Sequence, residues 1–295
     1  MTSSNPHPIE HLTQLGGKTV IITGGAGGIG AATAKVFNLH GANVVIADVP
    51  SSDEAAQKLI ASLPYPEKAL FYAVDILNWE QMLGLFHETI RRFGSIDIIV
   101  ANAGIMEKTD TLDIESTDEN GNLLESTGAF NVIDVNVKGT LNTLRLAIHF
   151  MRPSPDRPAG RKSIVLVAST SGYFGGTGVA AYVSSKHAII GLLRSSHVAA
   201  SQNGVTVTAA GARWQADRLK PNTTEDVGMA IALSSVEGKS GSCTLVAGPH
   251  RKEMEASRNA VMPQWLGDEI HGFFQNAFKI ISSSGGYNLP KASKI

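Results

Sequence analysis

A single cysteine, Cys243, leaves the chain unable to close an internal disulfide or build a cysteine metal cluster. A small secreted scaffold stapled by disulfides is thereby excluded, and a reducing compartment is the default. Charge of one sign is also missing. The sequence holds 25 Lys+Arg against 26 Asp+Glu, for a formal net charge of -1, so no basic surface for nucleic acid is expected. Long hydrophobic runs are absent too: residues 1–17 are polar, and apolar stretches such as residues 164–168 fall far short of the ~20 residues a bilayer requires. These absences lead to the expectation of a soluble, cytoplasmic protein with no membrane partner. The nine histidines are scattered without ligand spacing, so no metal site is expected, and His187 reads as a helix-packing residue. The terminal Ser293-Lys294-Ile295 resembles a peroxisomal Ser-Lys-Leu ending except in its last residue.

What is present is length and glycine. A chain of 295 residues can bury a sizeable core. Its 30 glycines exceed the usual roughly 7% and cluster between Gly24 and Gly30. Short β-branched runs alternate with longer segments of helical period. The strands are expected at residues 19–22, 43–47, 69–74, 96–101, 163–168, 205–209 and 243–247, and the helices at 28–39, 53–62, 79–93, 130–151, 180–202 and 224–234. Such alternation with right-handed crossovers implies an α/β fold, a doubly wound parallel sheet of seven strands of the Rossmann type. We expect one domain spanning residues 1–295, with a core at 17–248 and a C-terminal helical extension at 249–295. A polar stretch at 107–127 and a Pro-bearing stretch at 152–161, with Pro153, Pro155 and Pro158, read as loops.

The glycine cluster follows the first strand and opens the first long helix, the context in which such a segment binds a dinucleotide. Glycine permits the tight turn and lets backbone N–H groups approach a pyrophosphate, whose charge is favoured at a helix N-terminus. Two parses are open: G-x-G-x-x-G on Gly25, Gly27 and Gly30, or T-G-x-x-x-G-x-G on Thr23, Gly24, Gly28 and Gly30, with Ile29 inside the latter. Asp48 ends the second strand, where an acid accepts from adenosine ribose hydroxyls and repels a 2′-phosphate. No Lys or Arg stands within the glycine loop or just after Asp48, so NAD is favoured over NADP. Asp75 and Ile76, after the third strand, are placed for the adenine edge, with a strand-end turn as the alternative for the aspartate. Asn102-Ala103-Gly104 ends the fourth strand with the small residues that close approach to a cofactor requires, although a loop alone would also use them.

Tyr182 and Lys186 are four apart on an expected helix and so share a face. An ammonium beside a phenol favours the phenolate, which makes Tyr182 usable as a general base. Ser169 follows the fifth strand, at the end of the sheet where ligands of open α/β folds sit, and its hydroxyl can bind a substrate oxygen. Asn136, in Asn136-Val-Lys-Gly139, supplies an amide that can hold a water against Lys186.

Taken together and in this order, Thr23 to Gly30 in the second parse, Asp75, Asn102-Ala103-Gly104, Asn136, Ser169 and Tyr182-x-x-x-Lys186 resemble the short-chain dehydrogenase/reductase family. The likeness spans about residues 17–207, and the stretch 169–199 is most similar to the 15-hydroxyprostaglandin dehydrogenase-like branch. The resemblance implies a tetrad of Asn136, Ser169, Tyr182 and Lys186. It also implies that Lys186 holds the nicotinamide ribose, that Asn136 fixes a relay water, and that the long helices at 130–151 and 180–202 pair into homodimers or homotetramers. The implied reaction moves hydride between NAD(H) and a secondary alcohol or ketone.

The chain departs from the family after the sixth strand. The usual Pro-Gly turn, the Thr-bearing segment and the long substrate lid are replaced by Ala210-Gly211-Ala212-Arg213-Trp214 and a short run to Pro221, with Thr224 expected to cap the next helix. Compensation is expected from the loop at 107–127, which is longer than its family counterpart, and from a helix at 254–278 carrying Met262, Trp265, Phe273, Phe274 and Phe278. That apolar stripe also suits a core or dimer contact. With Trp214 these segments would make a bulky hydrophobic molecule the substrate. The missing segment leaves two alternatives open: redox-neutral chemistry on a bound cofactor, as in an isomerase or cyclase, and a catalytically weak nucleotide-binding regulator.

Overall fold

The computed structural model of the chain describes residues 9–154, 160–176, 178–212, 222–248 and 250–283. Strands β1 (Thr19–Thr23), β2 (Asn43–Asp48), β3 (Ala69–Ala73), β4 (Ile98–Ala101), β5 (Lys162–Ser169), β6 (Val205–Ala212), β7 (Cys243–Ala247) and β8 (His250–Glu253) form one sheet, in the order β3-β2-β1-β4-β5-β6-β7-β8. The helices are α1 (Ile9–Leu12), α2 (Gly28–Leu39), α3 (Asp53–Ala61), α4 (Trp79–Phe93), α5 (Thr127–Ile133), α6 (Thr140–Met151), α7 (Ala180–Gln202), α8 (Thr224–Glu237), α9 (Glu255–Leu266) and α10 (Asp268–Ser283). The described residues divide into two compact units, one ending at Lys252 and the other starting at Glu253.

The central strands are buried on both faces, which is why β1, β2 and β5 read as unbroken apolar runs. All pairings from β3 across to β7 are parallel. Strand order reverses at β1, which lies between β2 and β4, and the crevice at their carboxyl ends is the place where this architecture binds ligands. Val20, Ile22, Val44, Ile46 and Phe37 anchor a core cluster beneath α2 and α8. These two helices approach closely at Gly228, where a Cβ would lie 2.9 Å from the Thr33 nitrogen. At the opposite end of the sheet, Asp97 precedes β4 and accepts from Thr19 N (3.0 Å) and Lys162 Nζ (2.8 Å), joining three strands.

Several expectations are corrected. The sheet has eight strands rather than seven. The added β8, His-Arg-Lys-Glu, has no apolar alternation because it is an exposed terminal strand of the sheet. The single helix expected at 130–151 starts earlier and is broken into α5 and α6 by a wide π turn at Asp134–Gly139. Thr223, not Thr224, caps α8: its hydroxyl accepts from Asp226 N, and the Asp226 carboxylate accepts from Thr223 N in return. The helix expected at 254–278 is two helices, divided at Gly267, whose φ of 77° a helix cannot contain. Trp214 and Arg213, Pro155 and Pro158, and Ser293-Lys294-Ile295 lie outside the described residues.

Candidate active site

The turn after β1 is shaped by glycines that the backbone needs. Gly24 and Gly28 hold positive φ values of 62° and 51°. A Cβ on Gly30 would collide with the Gly24 carbonyl and lie 2.8 Å from Asn102 Nδ2. Gly30 belongs to both parses and Gly25 is crowded too, with a Cβ there 2.7 Å from the Ile22 carbonyl oxygen, so what distinguishes the parse on Thr23, Gly24, Gly28 and Gly30 is the positive φ of Gly24 and Gly28. Gly27 is the N-cap of α2, and no side chain caps that helix. Side chains added at Gly27 or Gly28 would meet nothing within 4 Å, so open space faces the first turn of α2 and its N–H groups.

Residues just after β4, and Asp48 at the end of β2, brace this loop. Asn102 Nδ2 donates to the carbonyls of Thr23 and Gly24, each at 2.9 Å. The Thr23 hydroxyl oxygen accepts from Asn102 N and Ala103 N at 3.1 and 3.2 Å. Asp48 Oδ2 accepts from Ala26 N at 2.9 Å, while Oδ1 takes Val49 N and the Ser52 hydroxyl. Asp48 thus stiffens the same loop and keeps lone pairs free. Asp75 is exposed, and its Oδ1 accepts from Leu77 N at 2.9 Å, the geometry of a strand-end turn. Ile76 is buried against Gly139 in the π turn.

A cavity of about 690 Å³ opens over the carboxyl ends of the strands. Gly24, Gly27, Gly28 and Ile29 line it from the glycine loop, Asn102, Ala103, Gly104, Ile105 and Met106 from the segment after β4, and Val167, Ala168 and Ser169 from β5. Tyr182 and Lys186 close it from α7, with Asn222, Thr223, Thr224 and Val227 opposite. Thr23, Gly30, Asp48, Asp75, Ile76 and Asn136 are not part of this lining.

Ser169, Tyr182 and Lys186 are buried in its wall. Ser169 Oγ accepts from Ser171 N at 3.2 Å, which leaves its own hydrogen available. Lys186 Nζ donates to the Val167 carbonyl at 2.9 Å and lies 5.6 Å from the centre of the Tyr182 ring. Burial pushes the Lys186 ammonium down to about 8, because the low-polarity surroundings disfavour the charged form. Tyr182 lines the cavity, and among the described residues its hydroxyl has no protein hydrogen-bond partner. Asn136 sits in the π turn, a feature frequent at functional sites. Its side chain accepts from Ile105 N (2.8 Å) and donates to the Ile105 carbonyl and Ser185 Oγ, both at 2.9 Å. The expected water-holding amide is therefore committed to protein partners, and a water would have to use a remaining oxygen lone pair. Gly104 lies between the groups, since a Cβ there would stand 3.2 Å from Asn136 Oδ1 and 3.6 Å from Lys186 Nζ.

Three contributors escaped the sequence reading. Glu107 reaches from the loop at 107–127 to the start of α7. Ser185 donates to the Tyr182 carbonyl at 2.7 Å, and Asn222-Thr223-Thr224 supplies the far wall. Only Ser185 left a local signal, one turn from Tyr182. Among the described residues, no helix is long and apolar enough to cross a membrane, and no group of three or more His, Cys, Asp or Glu is placed to hold a metal.

Comparison with known proteins agrees with this architecture. The short chain dehydrogenase family model matches residues 18–213. The short-chain dehydrogenase/reductase prx4 of Penicillium roqueforti is 30% identical over 90% of this chain and 85% of its own. The short-chain dehydrogenase/reductase ascJ of Acremonium egyptiacum is 32% identical, over 83% of each chain. Among solved structures, a short chain dehydrogenase from Mycobacterium avium superposes with a TM-score of 0.69 at 26% identity, covering 82% of this chain and 86% of that one.

Proposed function

This chain belongs to the short-chain dehydrogenase/reductase family, and we propose that it is an NAD-dependent oxidoreductase acting on a secondary alcohol or ketone of a medium-sized hydrophobic molecule. The observation that carries this reading is the convergence of Ser169, Tyr182 and Lys186 on one cavity floored by the glycine loop. A nicotinamide cofactor, when bound, supplies hydride transfer. The residues fit such a group: the glycine turn leaves open space before α2, and a carboxylate stands at the end of β2. Gly24, Gly28, Ile29 and Gly30 would hold the pyrophosphate, Asp48 the adenosine ribose, and Asp75 and Ile76 the adenine edge. Thr23, Asn102, Ala103 and Gly104 would shape the middle of the site, and Lys186 would hold the nicotinamide ribose. The Asp48 carboxylate would repel a 2′-phosphate, which supports NAD over NADP.

In the oxidative direction, Tyr182 takes the substrate hydroxyl proton, and in reverse its phenol returns one to the carbonyl oxygen. Ser169 donates its free hydroxyl hydrogen to the same oxygen. The Lys186 cation favours negative charge building on the phenol oxygen in the transition state. Asn136 holds Ile105 and, through Ser185, the carbonyl of Tyr182.

Ile105 and Met106 in the cavity wall support an apolar substrate, and the stretch 169–199 supports placement in the 15-hydroxyprostaglandin dehydrogenase-like branch. Exposed Phe130, Leu141 and Val198 on α5, α6 and α7 support pairing into a homodimer or homotetramer. We read the chain as one catalytic domain with a C-terminal extension, acting in the cytoplasm. The test is incubation of the purified protein with NAD and a panel of hydrophobic secondary alcohols, following reduced nicotinamide by absorbance. Oxidation of at least one member is expected; tight NAD binding with no turnover of any would overturn the assignment.

A further inference from the structure

The first turn of α7 carries Tyr182, yet the chain next to it offers no cap. The N-cap position is Val179, whose side chain has no acceptor, and the first N–H groups of a helix lack intrahelical partners. The acceptor comes instead from more than seventy residues upstream. Glu107 Oε1 accepts from Ala181 N at 2.9 Å, and Oε2 accepts from Tyr182 N at 3.0 Å. A carboxylate is favoured at this end of a helix, and bonds to an ionised acceptor are stronger than neutral ones. Met106, the residue before Glu107, packs with Val179 against Ala129, Val132, Ala181 and Tyr182. The Tyr182 carbonyl is held from the other side by Ser185 Oγ at 2.7 Å.

From this geometry we infer that Glu107 is a positioning residue for the reaction. Its carboxylate latches the segment after β4 onto the N–H of Tyr182 and so sets where the phenol stands in the cavity. The same segment lines the cavity through Ala103, Gly104, Ile105 and Met106, so the latch ties the cavity wall to the proton-transferring side chain. The effect belongs to the chemical step. Glu107 does not line the cavity, and neither the glycine loop nor Lys186 depends on its hydrogen bonds.

The inference rests on the proposed reaction, and its test separates the two. In Glu107→Ala, kcat falls about ten- to a hundredfold, the scale of a small misplacement of a reacting group. NADH affinity, measured by fluorescence titration, stays within about twofold of the unmutated protein. Glu107→Gln keeps one oxygen acceptor and recovers most of the loss. An unchanged kcat in Glu107→Ala, or a loss matched by equal weakening of NADH binding, overturns the latch. An independent readout needs no turnover: in protein labelled at tyrosine Cζ, the NMR signal of Tyr182, assigned with Tyr182→Phe, moves in Glu107→Ala and returns in Glu107→Gln. A signal that does not move overturns the latch, whatever the activity. A signal that moves and is rescued, in a protein that oxidises no alcohol, supports the latch and sinks the reaction.

Discussion

The Lys186 ammonium stands 5.6 Å from the centre of the Tyr182 ring while donating to the Val167 carbonyl at 2.9 Å. The i, i+4 spacing puts the two side chains on one face of α7. It is β5, however, that supplies the carbonyl, so packing of α7 on the sheet determines where the cation sits. The same packing removes water from Lys186.

That burial gives a pH dependence. Burial lowers the Lys186 value to about 8, so the folded protein loses this cation well below the ~10.4 of an exposed lysine. NADH affinity is expected to weaken as pH rises through about 8, and Lys186→Met should bind more weakly at neutral pH with a flat profile; titrations across this range check both. The stability effect has the opposite sign. Between about 8 and the unfolded value the unfolded chain carries more protons on this lysine than the folded one, so its contribution to stability rises with pH there.

Tyr182→Phe removes the hydroxyl proposed to transfer the proton and little else, because among the described residues that hydroxyl has no protein hydrogen-bond partner to lose. Turnover should fall by about a thousandfold, within the range of general acid–base contributions, with NADH binding close to unchanged. Steady-state rates beside a fluorescence titration measure the two effects separately, and an unchanged rate would remove Tyr182 from its role.

Asp48→Ala should weaken NAD about tenfold, the effect of losing roughly one charge-assisted hydrogen bond, and should narrow the preference over NADP. Because Asp48 Oδ2 also accepts from Ala26 N, part of the loss comes from a looser glycine loop. Asp48→Asn retains an oxygen acceptor for that N–H while removing the charge. It should therefore relax the NADP discrimination with a smaller loss of NAD affinity, which parallel Kd measurements for both cofactors would show.

At the far end of the sheet, Asp97→Ala leaves Lys162 and Thr19 N without their carboxylate and should cost about 2–4 kcal/mol in urea unfolding at neutral pH. Burial by itself would raise the Asp97 carboxyl, but hydrogen bonds from Lys162, Thr19 N and Ser95, with the Lys162 charge, outweigh it and hold the carboxyl below the usual carboxylate range. The stability from this group is therefore full above the unfolded value near 3.9 and is lost as pH falls through the lower folded one. The gap between the two proteins should close in strong acid and stay constant from pH 6 to 8.

Much of the site was legible because its signals are local. Strand, glycine turn and helix succeed one another within residues 19–39, and Tyr182 and Lys186 are one helical turn apart. Adjacent alternatives were harder to separate. Thr223 and Thr224 carry equivalent hydroxyls, and only the return bond from Asp226 identifies the cap. The polar β8 carries no periodicity, since an exposed terminal strand need not alternate. The π turn around Asn136 is hidden inside an otherwise regular helical pattern, and Gly139 accommodates Ile76 there, a contact 63 residues apart in the chain.

By itself, then, the sequence determined the family and the doubly wound sheet and singled out the residues proposed for the chemistry, because each follows from short-range spacing of glycine, β-branched and polar residues. Tertiary structure alone decided how those residues are held. Asn102 reaches back to Thr23 and Gly24, Asn136 grips Ile105 and Ser185, and Glu107 holds the N–H of Tyr182. Each of these bonds joins segments that only packing brings together. A buried backbone group takes whichever acceptor the fold places within about 3 Å, irrespective of distance along the chain.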